Sequence, residues 1–271
     1  MNLVRRCCCL NILVLLKQVQ KSEEVRLKED FSIDRSRGKQ ELNPADKSAL
    51  LAASELRQKL GGQITCITMG PESAKAVLYE GAMYGADRLI HICDPAFAGS
   101  DTLATSRILA RAIERVGLPD IILCGRRTID GETGQVGPQL AARLHYSCIS
   151  NVTSVEKAEV SSIHIRRLLE DRIHTLSGRL PLVLCMCESN ILSQLPTLKQ
   201  IRMASSIVIE RISNQELKLS SKEYGKGGSP TQVRSVQTRM QGLRNTRFIS
   251  NLEDMTVQIC HRIQKQEEEE T

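Results

Sequence analysis

PDIILCGRRTIDGETGQVGPQ, residues 119–139, reads as an apolar strand that runs into a glycine-rich loop and then into a helix with Pro138 in its first turn. Gly131, Gly134 and Gly137 permit tight turns and close approach of a backbone or ligand. Thr133 and Gln135 add polar side chains, and proline suits a helix start. A second stretch, AGSDTLAT at Ala98 to Thr105, repeats the pattern of strand end, small residues and helix start. There Ser100 or Asp101 can cap the helix, while Thr102 and Thr105 can turn hydroxyls toward an anion in front of it; the residue types suit both uses. In an alternating α/β sheet such junctions gather at the carboxyl edge, where free backbone N–H groups and helix N-termini hold phosphate. Two junctions of this kind point to one nucleotide site.

Working outward, the chain alternates between short apolar runs and helical patterns. Ile12 to Leu16 is a first strand, followed by a polar, hairpin-like insertion, and Asn43-Pro44 offers an N-cap and first-turn proline for a helix ended by Gly61-Gly62. Ile64 to Gly70 is the second strand, Glu72 to Tyr84 a helix with Gly85 at its end, and Arg88 to Cys93 the third strand. A helix from about Ser100 carries Leu109, Ala112, Ile113 and Val116 as its inward stripe. Short apolar strands separated by helices imply a mostly parallel, doubly wound α/β sheet. After about Ser147 the runs SSIHIRRLL and LPLVLCMC predict an antiparallel extension of that sheet. Residues 10–190 are therefore read as a nucleotide-binding α/β domain, 1–9 as an N-terminal extension, and 191–271 as a C-terminal arm packing on a partner. Within the arm, a short helix is expected near Pro196 to Ala204, a flexible stretch at GKGGSPTQV (Gly225 to Val233), and a solvated acidic tail at Glu267 to Glu270.

Composition narrows the function classes. Of 271 residues, 41% are hydrophobic but only 3% aromatic, with no Trp, so stacking platforms for single-stranded nucleic acid are not supported. The net charge of +6 is modest and scattered, which argues against nucleic acid as a partner. Ten cysteines include no C-x-x-C pair, so neither a zinc ribbon nor a thioredoxin-type motif is present. Cys66, Cys93, Cys124, Cys185 and Cys187 lie in or beside apolar runs and read as small buried hydrophobes in a reducing, cytoplasmic compartment. MNLVRRCCCLNILVLLK imitates a secretory signal, but Asn11 breaks the apolar run and no small-residue cleavage site follows, so a first strand is expected there instead. No run approaches a membrane span. The five histidines lack metal-ligand spacing, and no GxxxxGK[ST], opening GxGxxG, nucleophile elbow or paired carboxylates occur. No catalytic residue or metal ligand is assigned, and any chemistry is expected to belong to a bound cofactor.

LKQV at Leu16 to Val19, NPADKSAL at Asn43 to Leu50, TMGP at Thr68 to Pro71, GADR at Gly85 to Arg88, AGSDTLAT, LCGRRTIDGETGQVGPQ, LPTLKQI at Leu195 to Ile201 and GSPTQV at Gly228 to Val233 follow in one order along nearly the whole chain. In these residues the chain resembles the β (small) subunit of electron-transferring flavoproteins, and more closely their NADH-dependent, electron-bifurcating branch. The resemblance implies an adenine-nucleotide-binding sheet, a heterodimer with a FAD-bearing α subunit, and FAD in the β site, with AMP there instead in the ordinary branch. It implies an electron-carrier subunit whose flavin accepts hydride from NADH and passes electrons to an acyl-CoA-type dehydrogenase and to ferredoxin or flavodoxin. Carried over by position, the implied contacts are Lys17, Asn43, Asp46, Met69 and Gly70; Asp101, Thr102 and Thr105 for phosphate; and Gly125, Arg126, Asp130, Gly131, Thr133, Gly134, Gln135, Val136 and Gly137. Arg126 is the implied partner of the flavin or its phosphates. The chain departs from the family at Gln20 and Lys21, at Arg127, and at Arg172 and His174, and an added positive charge beside a flavin raises its potential. Two further readings stay open: an AMP-holding, non-bifurcating subunit, and a stand-alone adenine-nucleotide module.

Overall fold

A computed structural model describes residues 10–20, 40–159, 161–188 and 195–231, together with residues 251, 255–257 and 259–261. The expected N-terminal extension, most of the polar insertion after the first strand, the last two residues of GSPTQV and the acidic tail lie outside the described residues. The chain forms one compact unit through Arg234 and a second unit from Ser235, in which residues 255–257 and 259–261 are helical.

The strands are β1 (Asn11–Leu16), β2 (Gln18–Gln20), β3 (Gln40–Leu42), β4 (Gln63–Met69), β5 (Arg88–Ile92), β6 (Ile121–Gly125), β7 (Ser147–Ala158), β8 (Ser162–Leu169), β9 (Arg172–Arg179), β10 (Leu182–Met186) and β11 (Ile209–Ile212). The helices are α1 (Pro44–Leu60), α2 (Lys75–Met83), α3 (Thr102–Val116), α4 (Val136–Leu144), α5 (Leu198–Ala204), α6 (Asn214–Leu217) and α7 (Gly225–Gly228). Nine strands make one sheet in the order β11-β5-β4-β1-β6-β10-β7-β8-β9, and β2 pairs with β3 as a small antiparallel ribbon. All pairings from β11 to β7 are parallel, while β8 and β9 join antiparallel. The α/β reading therefore holds, with a doubly covered, mostly parallel sheet.

Strand periodicity explains the double covering. Successive side chains of β1 point to opposite faces, and both sets are apolar. Ile12, Val14 and Leu16 enter the core beneath α1 and α2, whereas Leu13 and Leu15 join Ile108, Leu109, Ile113 and Leu140 from α3 and α4. In α3 the expected inward stripe at Leu109, Ala112 and Ile113 is buried, and α2 gives way at Tyr84 to Gly85, at φ +104°.

Two elements differ from expectation. LPLVLCMC was read as part of an antiparallel extension, but β10 slots in parallel between β6 and β7. All five of its residues are buried, and a strand covered on both faces belongs inside a parallel sheet. The second is β11, which sits in the polar stretch read as arm yet pairs with β5 in parallel register, and Glu210 takes a two-pronged hydrogen bond from Arg88. Its few residues carry too little apolar pattern to signal a strand.

GKGGSP, read as flexible, is docked on the AGSD turn instead. Ser229 is buried, the Asp101 N–H donates to its Oγ at 2.9 Å, and the Gly225 N–H donates to the Ser100 Oγ at 2.9 Å.

Chain direction along the sheet places the site. From β1 the chain steps outward through β4 to β5, then α3 carries it back across to β6 on the other side of β1. The order therefore reverses between β1 and β6. At such a switch point the crossover connections leave on opposite faces and open a crevice at the carboxyl ends of the strands.

Candidate functional site

The carboxyl ends of β1 and β6 flank that crevice, and a buried carboxylate ties them together. Asp46, in the first turn of α1 and 4% exposed, accepts the Lys17 N–H and the Gly125 N–H, each at 2.8 Å. Burial pushes this carboxyl from 3.8 up to about 6, against the pull of hydrogen bonds from Lys17, Asn43 and Gly125. A Cβ on Gly125 would strike the Asp46 carboxylate and lie 2.9 Å from the Ala45 Cβ, so α1 can approach the strand end only where that residue has no side chain.

Asn43 was expected to cap α1, but its side chain makes no cap bond. Its Nδ2 donates instead to the Arg127 carbonyl at 3.1 Å, which pins the start of the glycine-rich loop. On the same side the Lys17 ammonium holds the Asp130 carboxylate at 2.7 Å, with Thr128 at 3.5 Å. Arg126 is anchored at both ends: its N–H donates to the Met186 carbonyl at 2.7 Å and its Nη1 to the Asn151 Oδ1 at 2.8 Å.

The far end of the loop reaches the second junction. Gln135 precedes α4 and accepts from the Thr102 hydroxyl at 2.8 Å, joining the N-termini of α3 and α4. Gln139 donates to the same hydroxyl at 3.5 Å. Gly137 lies against two thiols, since a Cβ there would meet the Cys185 Sγ at 2.5 Å and the Cys124 Sγ at 3.0 Å. Cys124 and Cys148 flank Cys185 at 3.7 and 3.9 Å. Hydrogen bonds between the thiols, then burial, hold Cys148 above the usual thiol range, and the contact with Cys124 does the same for Cys185. Cys148 and Cys185 therefore stay protonated at neutral pH, and Cys124 and Cys185 are buried, as their apolar surroundings implied.

The two helix starts differ. Asp101 caps α3, its carboxylate accepting the Ala104 N–H at 2.9 Å and the Thr231 N–H at 3.0 Å. Burial works against ionisation, but those bonds outweigh it and hold this carboxyl below its usual range. Among the described residues no side chain caps α4. Its first N–H groups have no partner within the helix, so its positive end faces the crevice open to an acceptor.

Most of the residues picked from sequence thus meet along one edge. Lys17, Asn43, Asp46, Gly125, Arg126 and Asp130 gather at the switch point, and Asp101, Thr102, Gln135, Val136 and Gly137 at the paired helix starts. Gly131, Thr133 and Gly134 lie in the loop that links the groups, and Thr105 sits one turn into α3 with its N–H on the Asp101 carbonyl. Met69 ends β4 beside β1, and Gly70 after it turns toward β5, giving its N–H to the Ile92 carbonyl and accepting from His91. Arg172 stands apart at the exposed turn between β8 and β9, with its side chain 83% exposed.

Asn151, Thr128, Gln139 and Ser229 were not picked from sequence. Asn151 carried the one readable signal, a turn-forming residue inside a strand run: it has φ +60° where β7 slips register against β10. The others are brought in by contacts distant in sequence.

The residues present fit an adenine nucleotide. The Asn43 Oδ1 and Gln139 Oε1, one at each end of the loop, are buried with no hydrogen-bond partner among the described residues. Orphaned acceptors of this kind suit hydroxyl or amino donors, and the open end of α4 suits a phosphate.

Known proteins match the chain along most of its length. The model of the electron transfer flavoprotein domain matches residues 30–216. The electron transfer flavoprotein subunit beta of Thermoanaerobacterium thermosaccharolyticum is 35% identical over 258 residues, covering 94% of this chain and 98% of the relative. Protein FixA of Azorhizobium caulinodans is 36% identical over 236 residues, covering 84% of each chain. The acryloyl-CoA reductase electron transfer subunit gamma of Anaerotignum propionicum is 34% identical over 232 residues, covering 83% of this chain and 86% of the relative.

Proposed function

The chain belongs to the electron transfer flavoprotein family, and on that premise we propose that it is a β subunit that holds FAD at the β1/β6 switch point and pairs with a FAD-bearing α subunit. In this reading NADH is the electron source, and an acyl-CoA-type or related dehydrogenase, with ferredoxin or flavodoxin, receives the electrons. The name of the Anaerotignum relative, an electron transfer subunit of acryloyl-CoA reductase, supports a dehydrogenase or reductase of that class as partner.

The observation that carries the reading is the Thr102–Gln135 bond. It sets the open N-terminus of α4 beside the Thr102 hydroxyl at the carboxyl edge, where backbone dipoles favour a phosphate or pyrophosphate. Val136 and Gly137 would offer main-chain N–H groups. The orphaned oxygens of Asn43 and Gln139 would take donors from the ribose or base. Arg126, held on Asn151, would present a fixed cation toward the cofactor without needing to be ordered on binding. A flavin, when bound, supplies hydride acceptance and one-electron transfer; the protein's share is to position it and set its field.

One observation favours AMP instead. The Asp101 carboxylate occupies the N-terminus of α3, so a diphosphate would meet a negative charge at one of the two helix starts. In that case the subunit would serve structure and docking without NADH activity. The test is to purify the heterodimer and count flavin and extracted nucleotide. Two FAD per heterodimer support the first reading, and one FAD plus one AMP the second. No adenine nucleotide beyond the α subunit's own FAD would refute both.

A further inference from the structure

On the outer side of the sheet, beyond Gly70, a ring nitrogen of His91, the Sγ of Cys93 and a carboxylate oxygen of Glu72 lie within 4.8 Å of one another. We propose that these three residues form a site for a thiophilic divalent cation of the zinc type, which would clip the turn after β4 to the end of β5.

The ring of His91 carries much of the case. His91 is fully buried, and its Nε2 lies 3.1 Å from the Gly70 carbonyl. A carbonyl can only accept, so Nε2 carries the proton and Nδ1 keeps its lone pair. Nδ1 is buried and has no hydrogen-bond partner among the described residues. That tautomer leaves a lone pair on Nδ1 for a metal, the state in which a backbone carbonyl on the other nitrogen holds a ligating imidazole. An orphaned basic nitrogen in a core is costly unless something binds it.

The other two donors match the same chemistry. Cys93 is 8% exposed, and its Sγ lies 3.9 Å from the Glu72 Oε2. Tetrahedral bonds of about 2.3 Å to sulfur and about 2.0 Å to oxygen place those atoms roughly 3.5 Å apart, so a small rotation of the Glu72 side chain closes the set. One nitrogen, one sulfur and one oxygen donor, with a fourth position open to water on the exposed Glu72 side, is a zinc-type set rather than a magnesium or calcium one.

A cation already bridges two of these groups. The Arg211 guanidinium from β11 reaches the Cys93 Sγ at 3.7 Å and Glu72 at 3.9 Å, and Lys75 also pairs with Glu72. Arg211 is 57% exposed along its side chain and free to swing into solvent. The metal would take its place, so the arginine lowers affinity rather than blocking the site. Spacing rules miss the set, because His91 on β5 and Cys93 just past its end are only two residues apart and Glu72 comes from the turn after the neighbouring strand.

Co²⁺ is the probe, added to the full chain in its purified complex under reducing conditions and read by the thiolate-to-cobalt band and the intensity of the visible bands of tetrahedral cobalt. Because other thiols can bind cobalt, the comparison is between variants. Cys93→Ser is expected to remove one equivalent of the thiolate band, Glu72→Gln to weaken binding about tenfold or more, and Arg211→Gln to tighten it. Glu72 is exposed, so its variant tests the proposal even if the Cys93 change disturbs folding. Zn²⁺ should bleach the bands with one-to-one stoichiometry. Bands of equal strength and midpoint in wild type and Glu72→Gln, or no stoichiometric binding even in Arg211→Gln, would overturn the proposal.

Discussion

Replacing Asp46 by Asn tests the keystone of the switch point. The carboxylate accepts two backbone N–H groups, from Lys17 and Gly125, while buried. An amide of the same shape has one acceptor oxygen, so one of those donors would face an NH₂ group. Leaving a buried donor unsatisfied costs about 1–3 kcal/mol. The pH dependence is more diagnostic. Burial raises the folded-state pKa of Asp46 from 3.8 to about 6, so the folded chain holds this proton more tightly than the unfolded one. The carboxyl's contribution to stability is then fully present below about pH 4 and lost as pH rises through about 6. Over that shift the loss is roughly 3 kcal/mol by neutral pH, with about 2 kcal/mol of it falling between about pH 4.5 and 7. Asn does not titrate. Urea denaturation of the full chain, at constant nucleotide content across this range, should therefore show the variant's stability relative to the wild type lower by about 2 kcal/mol at the acid end than at neutral pH. A deficit that stays constant with pH, or that widens toward neutrality, would refute the reasoning.

Three further outcomes follow from the same geometry. Gly137→Ala should lower stability by about 1–3 kcal/mol through overpacking against Cys185 and Cys124, and adding Cys185→Ala should restore part of it in the same urea assay. Thr102→Ala removes the bond to Gln135; it should cost only about 1 kcal/mol but markedly reduce adenine nucleotide retained through gel filtration, measured by extraction and absorbance. Ser229→Ala strips the Asp101 N–H of its acceptor and should cost about 1–3 kcal/mol, with faster proteolytic cleavage near Gly225 as the second readout.

Much of the sheet was legible because its strands advertise themselves. Ile12 to Leu16, Ile64 to Gly70 and Ile121 to Gly125 are short continuous apolar runs, and helices with glycine stops separate them. Continuous runs cannot, however, reveal direction. That is why β10 was misread: burial on both faces looks the same in sequence whichever way the neighbour runs. β11 was illegible for the opposite reason, since IERI is short and mixed in polarity and becomes a strand only because the edge of β5 is available.

The candidate site divides in the same way. Glycines and small hydroxyls at strand ends are local requirements of tight turns and helix starts, so residues 98–105 and 125–139 declared themselves through backbone chemistry alone. What only the folded chain decided is which of these groups meet. The Asp46 bridge, the Arg126–Asn151 anchor, the Thr102–Gln135 contact and the Ser229 dock join residues between 25 and 128 positions apart. Such pairings depend on strand order and crossover, and a one-dimensional pattern carries no information about which strand lies beside which.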